Sequence, residues 1–193
     1  MLAVASNSKP RIFQDGRDMA INVVLIVVLM LVAVGATGLC SFNPGAPEQG
    51  PVQEVDAKTF LELESRAVDF PVRYPEMPDG WTTNSARRSM IGGQPAPVVG
   101  WVTPNTGYIQ LTQTGEAADT ARAEVDDKAR TLARTVPVDG TEAQVYSSDD
   151  KDVRDLWVVD ASDERLLLTG AGDDSEFEEL IAAALAATPL APR

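Results

Sequence analysis

The chain has 193 residues, with 16 basic against 29 acidic side chains, one cysteine and no histidine. Its net charge of −13 repels nucleic-acid phosphates and argues against a nucleic-acid partner. The missing histidine removes the commonest general base and metal ligand, and a single cysteine excludes an intrachain disulfide.

Residues 1–18 carry Lys9, Arg11 and Arg17 against Asp15 and Asp18, a net of +1. From Ala20 to Leu39 the chain runs uncharged through Val, Leu, Ile and Met. At about 1.5 Å rise per residue such a run matches the roughly 30 Å hydrocarbon core of a bilayer. The first basic residue after it is Lys58, preceded by Glu48, Glu54 and Asp56. Basic residues beside a membrane helix stay on the cytoplasmic side. The expectation is a cytoplasmic stub over 1–18, a transmembrane helix over 19–40 and an extracytoplasmic remainder on the cell membrane. Two other readings stay open. Ala36-Thr37-Gly38 has the small-x-small form of a signal-peptide cleavage site, and Cys40 could end a lipoprotein signal, although Leu39 before it is not small. Cys40 otherwise reads as a small apolar residue at the membrane edge, with an intermolecular disulfide or acylation as the functional alternative.

Subtracting the first 40 residues leaves 13 basic and 27 acidic side chains over 41–193, a net of −14. Plain solubility accounts for such a surface, and it also suits cations or basic partners. The excess of Arg over Lys, with abundant Ala, Val, Asp and Gly, fits a GC-rich bacterial genome.

The segment 41–53 opens with Ser-Phe-Asn-Pro-Gly-Ala-Pro-Glu-Gln-Gly-Pro-Val. Its prolines and glycines hold neither helix nor central strand, so it reads as a flexible tether reaching roughly 35–40 Å. Residues 54–193 then form one domain, long enough for a single core.

Asp56 caps a predicted helix over 56–67, with Phe60, Leu63 and Ala67 at helical spacing. Phe70-Pro71 ends it. Pro78-Asp79-Gly80 is a turn before Trp81. Strands are predicted over 82–90, as an edge strand, and over 97–102, with Gly92-Gly93 turning between them. Pro104-Asn105-Thr106-Gly107 leads into a strand over 108–114. There Tyr108, Gln110, Thr112 and Thr114 share one face, while Ile109, Leu111 and Gln113 share the other. A helix is predicted over 117–133 from Ala121, Val125, Ala129 and Leu132. Strands follow over 143–147, 156–160 and 165–169. Ser175 and Glu178 form a capping box for a last helix ending near Thr188-Pro189, with Phe177, Leu180, Ile181, Ala184 and Leu185 on one face.

Strands in meandering groups predict an α+β fold, a small antiparallel sheet of about six strands packed with two to three helices. The expected core is Trp81, Trp101, Ile109, Leu111, Val125, Leu132, Trp157, Leu167, Phe177, Leu180 and Ile181.

Motifs for chemistry are sparse. Asp149-Asp150-Lys151-Asp152 and Gly172-Asp173-Asp174 offer oxygens to Ca²⁺, but neither has the spacing of a calcium loop, and Asp is favoured in turns anyway. Gly170-Ala171-Gly172 resembles part of a phosphate-cradling turn, yet Asp173 and Asp174 would repel a phosphate, and a plain strand-to-helix turn accounts for it. Arg87-Arg88 is a paired basic feature suited to an anionic group, or to a solvated edge strand. The tips 104–107 and 92–93 are partner-contact loops by location alone. No catalytic, cofactor-binding or metal-binding residue is assigned.

Several stretches carry a family resemblance. Lys9-Pro10-Arg11, Asp15-Gly16-Arg17-Asp18-Met19 and Cys40-Ser41-Phe42-Asn43-Pro44-Gly45 flank the apolar span. Further on stand Phe70-Pro71-Val72-Arg73, Pro78-Asp79-Gly80-Trp81, Asn84-Ser85-Ala86-Arg87, Val99-Gly100-Trp101 and Tyr108-Ile109-Gln110-Leu111-Thr112-Gln113. Together they resemble an uncharacterised actinobacterial family, domain of unknown function 4245. The resemblance implies a single-pass, envelope-facing protein and no activity; Cys40 fits the family pattern. The functional expectation is a non-enzymatic module, without cofactor, that binds an envelope protein or glycolipid. The alternatives are a carrier of a small apolar ligand or lipid between sheet and helices, and, behind it, an enzyme working through converging carboxylates or a Ser–Lys pair.

Overall fold

The computed structural model describes residues 16–37 and 53–190, with side chains over 19–33 and 53–190. Cys40, most of the tether and most of the N-terminal stub lie outside the described residues. The chain divides into two units, Met1–Gly50 and Pro51–Arg193.

The first unit contains helix α1, Gly16–Thr37. It begins ahead of the expected span and takes in Arg17 and Asp18. Its large apolar side chains from Met19 to Val32 are all exposed. Among the described residues, no helix is long and apolar enough to cross a membrane.

The second unit opens with α2, Ala57–Glu64. The Asp56 carboxylate accepts from the Thr59 N–H at 3.0 Å, capping the helix as expected. The inward face differs from the expected one. Ala57, Leu61 and Glu64 are buried and Leu63 is exposed. The helix stops at Glu64, so Ala67 falls outside it, and Glu64 turns inward to hold Arg88 in a two-pronged ion pair.

Seven strands, rather than six, form one sheet. They are β1 (Thr82–Ile91), β2 (Gln94–Val102), β3 (Tyr108–Thr114), β4 (Thr131–Val138), β5 (Thr141–Ser147), β6 (Leu156–Asp160) and β7 (Arg165–Gly170). The order is β1-β2-β3-β7-β6-β5-β4, and each pairing is antiparallel. Two meanders, β1 to β3 and β4 to β7, therefore join along β3 and β7. β1 is an edge strand, as expected.

The seventh strand comes out of the helix expected over 117–133. Helix α3 spans only Ala118–Glu124. Asp126 then accepts from the Lys128 N–H and from the Arg130 guanidinium, turning the chain. The following Thr131-Leu-Ala-Arg-Thr-Val-Pro-Val pairs with β5. Threonine and valine favour the pleated strand, and a seven-residue helix needs no continuation once its chain can pair. Leu132 is consequently 53% exposed and Val125 only half-buried, so neither belongs to the buried core. Trp81 is half-buried, its indole N–H donating to Glu179. The other eight expected core residues are buried.

One sheet face carries Val99, Trp101, Ile109, Leu111, Val145, Trp157, Leu166 and Leu168 against α2 and helix α4, Asp174–Ala186. The ring of Trp157 stacks on that of Phe177 at 5.2 Å. The opposite face packs Ile91, Ala96, Leu156, Val158 and Leu167 on Ala121 of α3. The α4 cap lies earlier than Ser175 and Glu178. Asp173 is the N-cap, and its N–H donates to Glu176 at 2.8 Å.

Two truncations separate the buried sheet from its exposed edge. Leu168→Ala should cost about 2–5 kcal/mol, the range for a buried leucine. Leu132→Ala should stay within about 0.5 kcal/mol. Urea unfolding of the full chain measures both.

Candidate functional site

Two loops meet where β2, β3 and β7 end: residues 103–107 and 170–174. The Gly107 N–H donates to Thr103 Oγ1 at 2.9 Å, and the Thr106 N–H to the Thr103 carbonyl. Thr106 sits at φ +64°, a left-handed conformation that is costly for a β-branched residue. Gly170, at φ +159°, lies against the backbone of Tyr108, where a Cβ would stand 2.0 Å from the Tyr108 carbonyl oxygen. The Ala171 N–H donates to that same carbonyl at 2.7 Å.

Glu176 locks the two loops together. It is buried, and it accepts from the Asp173 N–H and, at 3.4 Å, from the Asn105 N–H. Burial pushes its carboxyl pKa up, but these backbone donors and the Thr103 hydroxyl outweigh burial and hold it below its ordinary value. Gly170-Ala171-Gly172 is the strand-to-helix turn expected of it, leading from β7 into α4, and the α4 N-terminus is occupied by the chain's own carboxylate, Glu176. A negative group there is favoured by the helix dipole.

Beside this loop pair opens a cleft of about 400 Å³, reached by Lys151, Arg154, Asp155, Asp173 and the edges of Trp157 and Phe177. Arg134 lies over the Trp157 ring at 5.4 Å and pairs with Asp174 at 2.8 Å and Asp155 at 3.6 Å. One guanidinium is thereby shared between two acidic rim groups and offsets one of their two charges. The Lys151 ammonium and Arg154 guanidinium have no side-chain partner among the described residues. On the opposite sheet face, around Tyr108, the Ser85 hydroxyl meets the Tyr108 hydroxyl at 2.9 Å and Arg87 donates to Gln110 at 3.1 Å. Tyr108 lies over Gly100, where a Cβ would stand 2.0 Å from its hydroxyl.

The structure separates Arg87 from Arg88, because neighbouring strand residues point to opposite faces. Arg88 is committed to Glu64, while Arg87 stays on the exposed polar corner. The 92–93 tip is tied down by the Gly92 N–H donating to Glu124 at 2.7 Å. Asp150 of the 149–152 run accepts from the Asp152 N–H, as turn aspartates do. Among the described residues, no group of three or more His, Cys, Asp or Glu side chains could hold a metal ion. Trp101 and Trp157 lie in the core. Between the sheet and α2 and α4 lie buried side chains such as Leu61, Trp101, Leu111 and Leu180.

Sequence reasoning missed Arg134 and Glu176, whose roles rest on contacts across the fold. Lys151 appeared only inside an acidic run.

The family described as protein of unknown function, DUF4245, matches residues 11–184. The chain belongs to this family. No curated protein and no solved structure matches it. Across the DUF4245 chain the match takes in α1 and every strand of the sheet.

Replacing Glu176 with Gln tests the lock. A carboxyl whose folded pKa is depressed stabilises above its unfolded value and loses that contribution as pH falls through the folded one. The wild type should exceed Glu176→Gln by about 1–3 kcal/mol, the scale for bonds to a charged group, above the ordinary value of 4.5. The gap should close as pH drops further below it. Denaturant unfolding of both proteins from neutral to acid pH measures it.

Proposed function

We propose that this DUF4245 protein is a single-pass membrane-anchored binding module, without catalytic activity, that presents its α+β domain outside the cytoplasm to another envelope component. The anchor rests on α1. Apolar side chains exposed all round a helix favour hydrocarbon as their surroundings, and the uncharged run continues to Leu39. The charge asymmetry across that run supports a cytoplasmic N-terminus.

The observation that carries the binding reading is the pair of hydrogen-bonded loops at this end of the sheet. Loops 103–107 and 170–174 are tied to each other through Glu176 without any partner, and two unpaired cations stand at the adjoining cleft. Preorganised loops lose little entropy on association. Lys151 and Arg154 suit an anionic group on a protein or glycolipid, in a domain whose acidic surface discourages unspecific contacts.

Photocrosslinking from position 153, between the two cations, tests this in native membranes. One reproducible neighbour should be recovered, and the Lys151→Glu, Arg154→Glu double variant should reduce its yield about tenfold or more, equal to about 1.4 kcal/mol. Recovery of no reproducible neighbour, or of one indifferent to the charge reversal, would overturn the binding reading. In the same membranes the chain should resist alkaline carbonate extraction, and deleting residues 19–37 should release it.

A further inference from the structure

The remaining polar contact of note lies at the other end of the sheet, away from the two loops. Arg73 belongs to the irregular stretch between α2 and β1, yet it touches four other parts of the domain. Its backbone N–H donates to Gln113 Oε1 at 2.7 Å, and its carbonyl accepts from Gln113 Nε2 at 2.8 Å. The Gln113 side chain thus imitates a strand partner inside the core. The Arg73 guanidinium donates to carbonyls at the C-terminal end of α4, Leu185 in its last turn at 3.2 Å and the C-cap residue Ala187 at 2.7 Å. It also pairs through Nε with Glu164 in the β6–β7 turn. Beside it, Arg73 bridges to Pro189 and the Leu190 N–H donates to the Val72 carbonyl at 2.8 Å. These contacts bind residues 72–73 and 187–190 into a clasp across α4, with Val72 fully buried beneath.

Glu164 is the unusual member. Its side chain is 0% exposed, and only one of its two oxygens has a partner; Oε2 is buried without one. An ionised carboxylate in that position forgoes hydration it does not recover. The charged groups around it are few. Arg73 faces it from the irregular stretch, Asp163 lies next to it in the turn, β3 supplies the neutral Gln113, and α4 supplies the carbonyl end of its dipole. Arg165 turns to the opposite face and pairs with Asp160. One attractive charge thus stands against burial, a neighbouring carboxylate and a helix C-terminus.

We propose that Glu164 makes this clasp proton-operated: protonated Glu164 holds it shut, and ionised Glu164 lets residues 72–73 and 187–190 part more often. Burial pushes the Glu164 carboxyl above its ordinary value despite Arg73. An acid with a raised folded pKa stabilises the folded arrangement below its unfolded value, and the contribution fades as pH rises through the folded one. The clasp therefore loosens as pH rises through the Glu164 value and tightens as pH falls, against the trend of Asp56, Asp126 and Glu176, whose donors hold them below their ordinary values.

Amide hydrogen exchange of the full chain in detergent tests this. The Arg73 and Leu190 amides, both bonded within the clasp, are followed from pH 4.5 upward, with each rate divided by its intrinsic value. Their protection should fall as pH rises, by at most about tenfold per pH unit, the ceiling for one linked proton. Core amides of β3 should not follow them. In Glu164→Gln the slope should vanish. An equal slope in both proteins, or none in wild type, would overturn the proposal. If the variant does not fold, carbon NMR titration of the wild-type Glu164 carboxyl decides. A midpoint above 4.5 supports the clasp as proposed, and one at or below it refutes it.

Discussion

The pairing of β3 with β7 is the contact on which the domain depends. It joins two meanders whose other pairings are local, and it does so across more than fifty residues of chain, from Ile109 opposite Gly170 to Thr114 opposite Arg165. Each meander alone would leave a strand edge and an apolar face in water. Joined, they give Leu111 and Leu168 a common layer under α4, and Thr112 and Leu167 a common layer under α3. The loop pair exists for the same reason. Ala171 can reach the Tyr108 carbonyl only because β7 has already been laid against β3. Such a non-local closure is slow to find and firm once found.

The buried carboxylates of the domain are settled in different ways. Glu64 meets a guanidinium in a two-pronged pair. Glu176 is surrounded by N–H and hydroxyl donors and is content as an anion. Glu164 has one partner and one orphan oxygen. The same side chain thus serves as a strut, a lock and a titratable group, according to how many donors its neighbourhood supplies.

Much of the sheet was legible in the chain. The alternation of Tyr108 to Thr114 gave both the strand and its faces, and Gly92-Gly93 marked a hairpin that forms with both glycines at positive φ. β4 was hidden because Ala121, Val125, Ala129 and Leu132 fall at helical spacing by coincidence, and only the partner β5 decides against a helix. The inward turn of Glu64 was illegible for a related reason. A glutamate on an amphipathic helix reads as solvated until its arginine, 24 residues on, is known. The site was less legible still. Glu176 bonds to Asn105 across 71 residues and Arg73 to Glu164 across 91, separations that no local pattern encodes. One clue was present: Gln113 lies on the same strand face as Ile109 and Leu111, and an amide in an apolar row demands a partner.

The free side of β4 carries a further consequence. Its register is broken between Leu132 and Arg134, Pro137 offers no N–H, and Arg134 is drawn aside by Asp155 and Asp174. A neighbouring copy approaching this edge finds a kinked row of bonding groups with a gap in it. Crowded copies of the domain therefore have no template for growing into continuous ribbons, and close neighbours can share a surface as separate molecules.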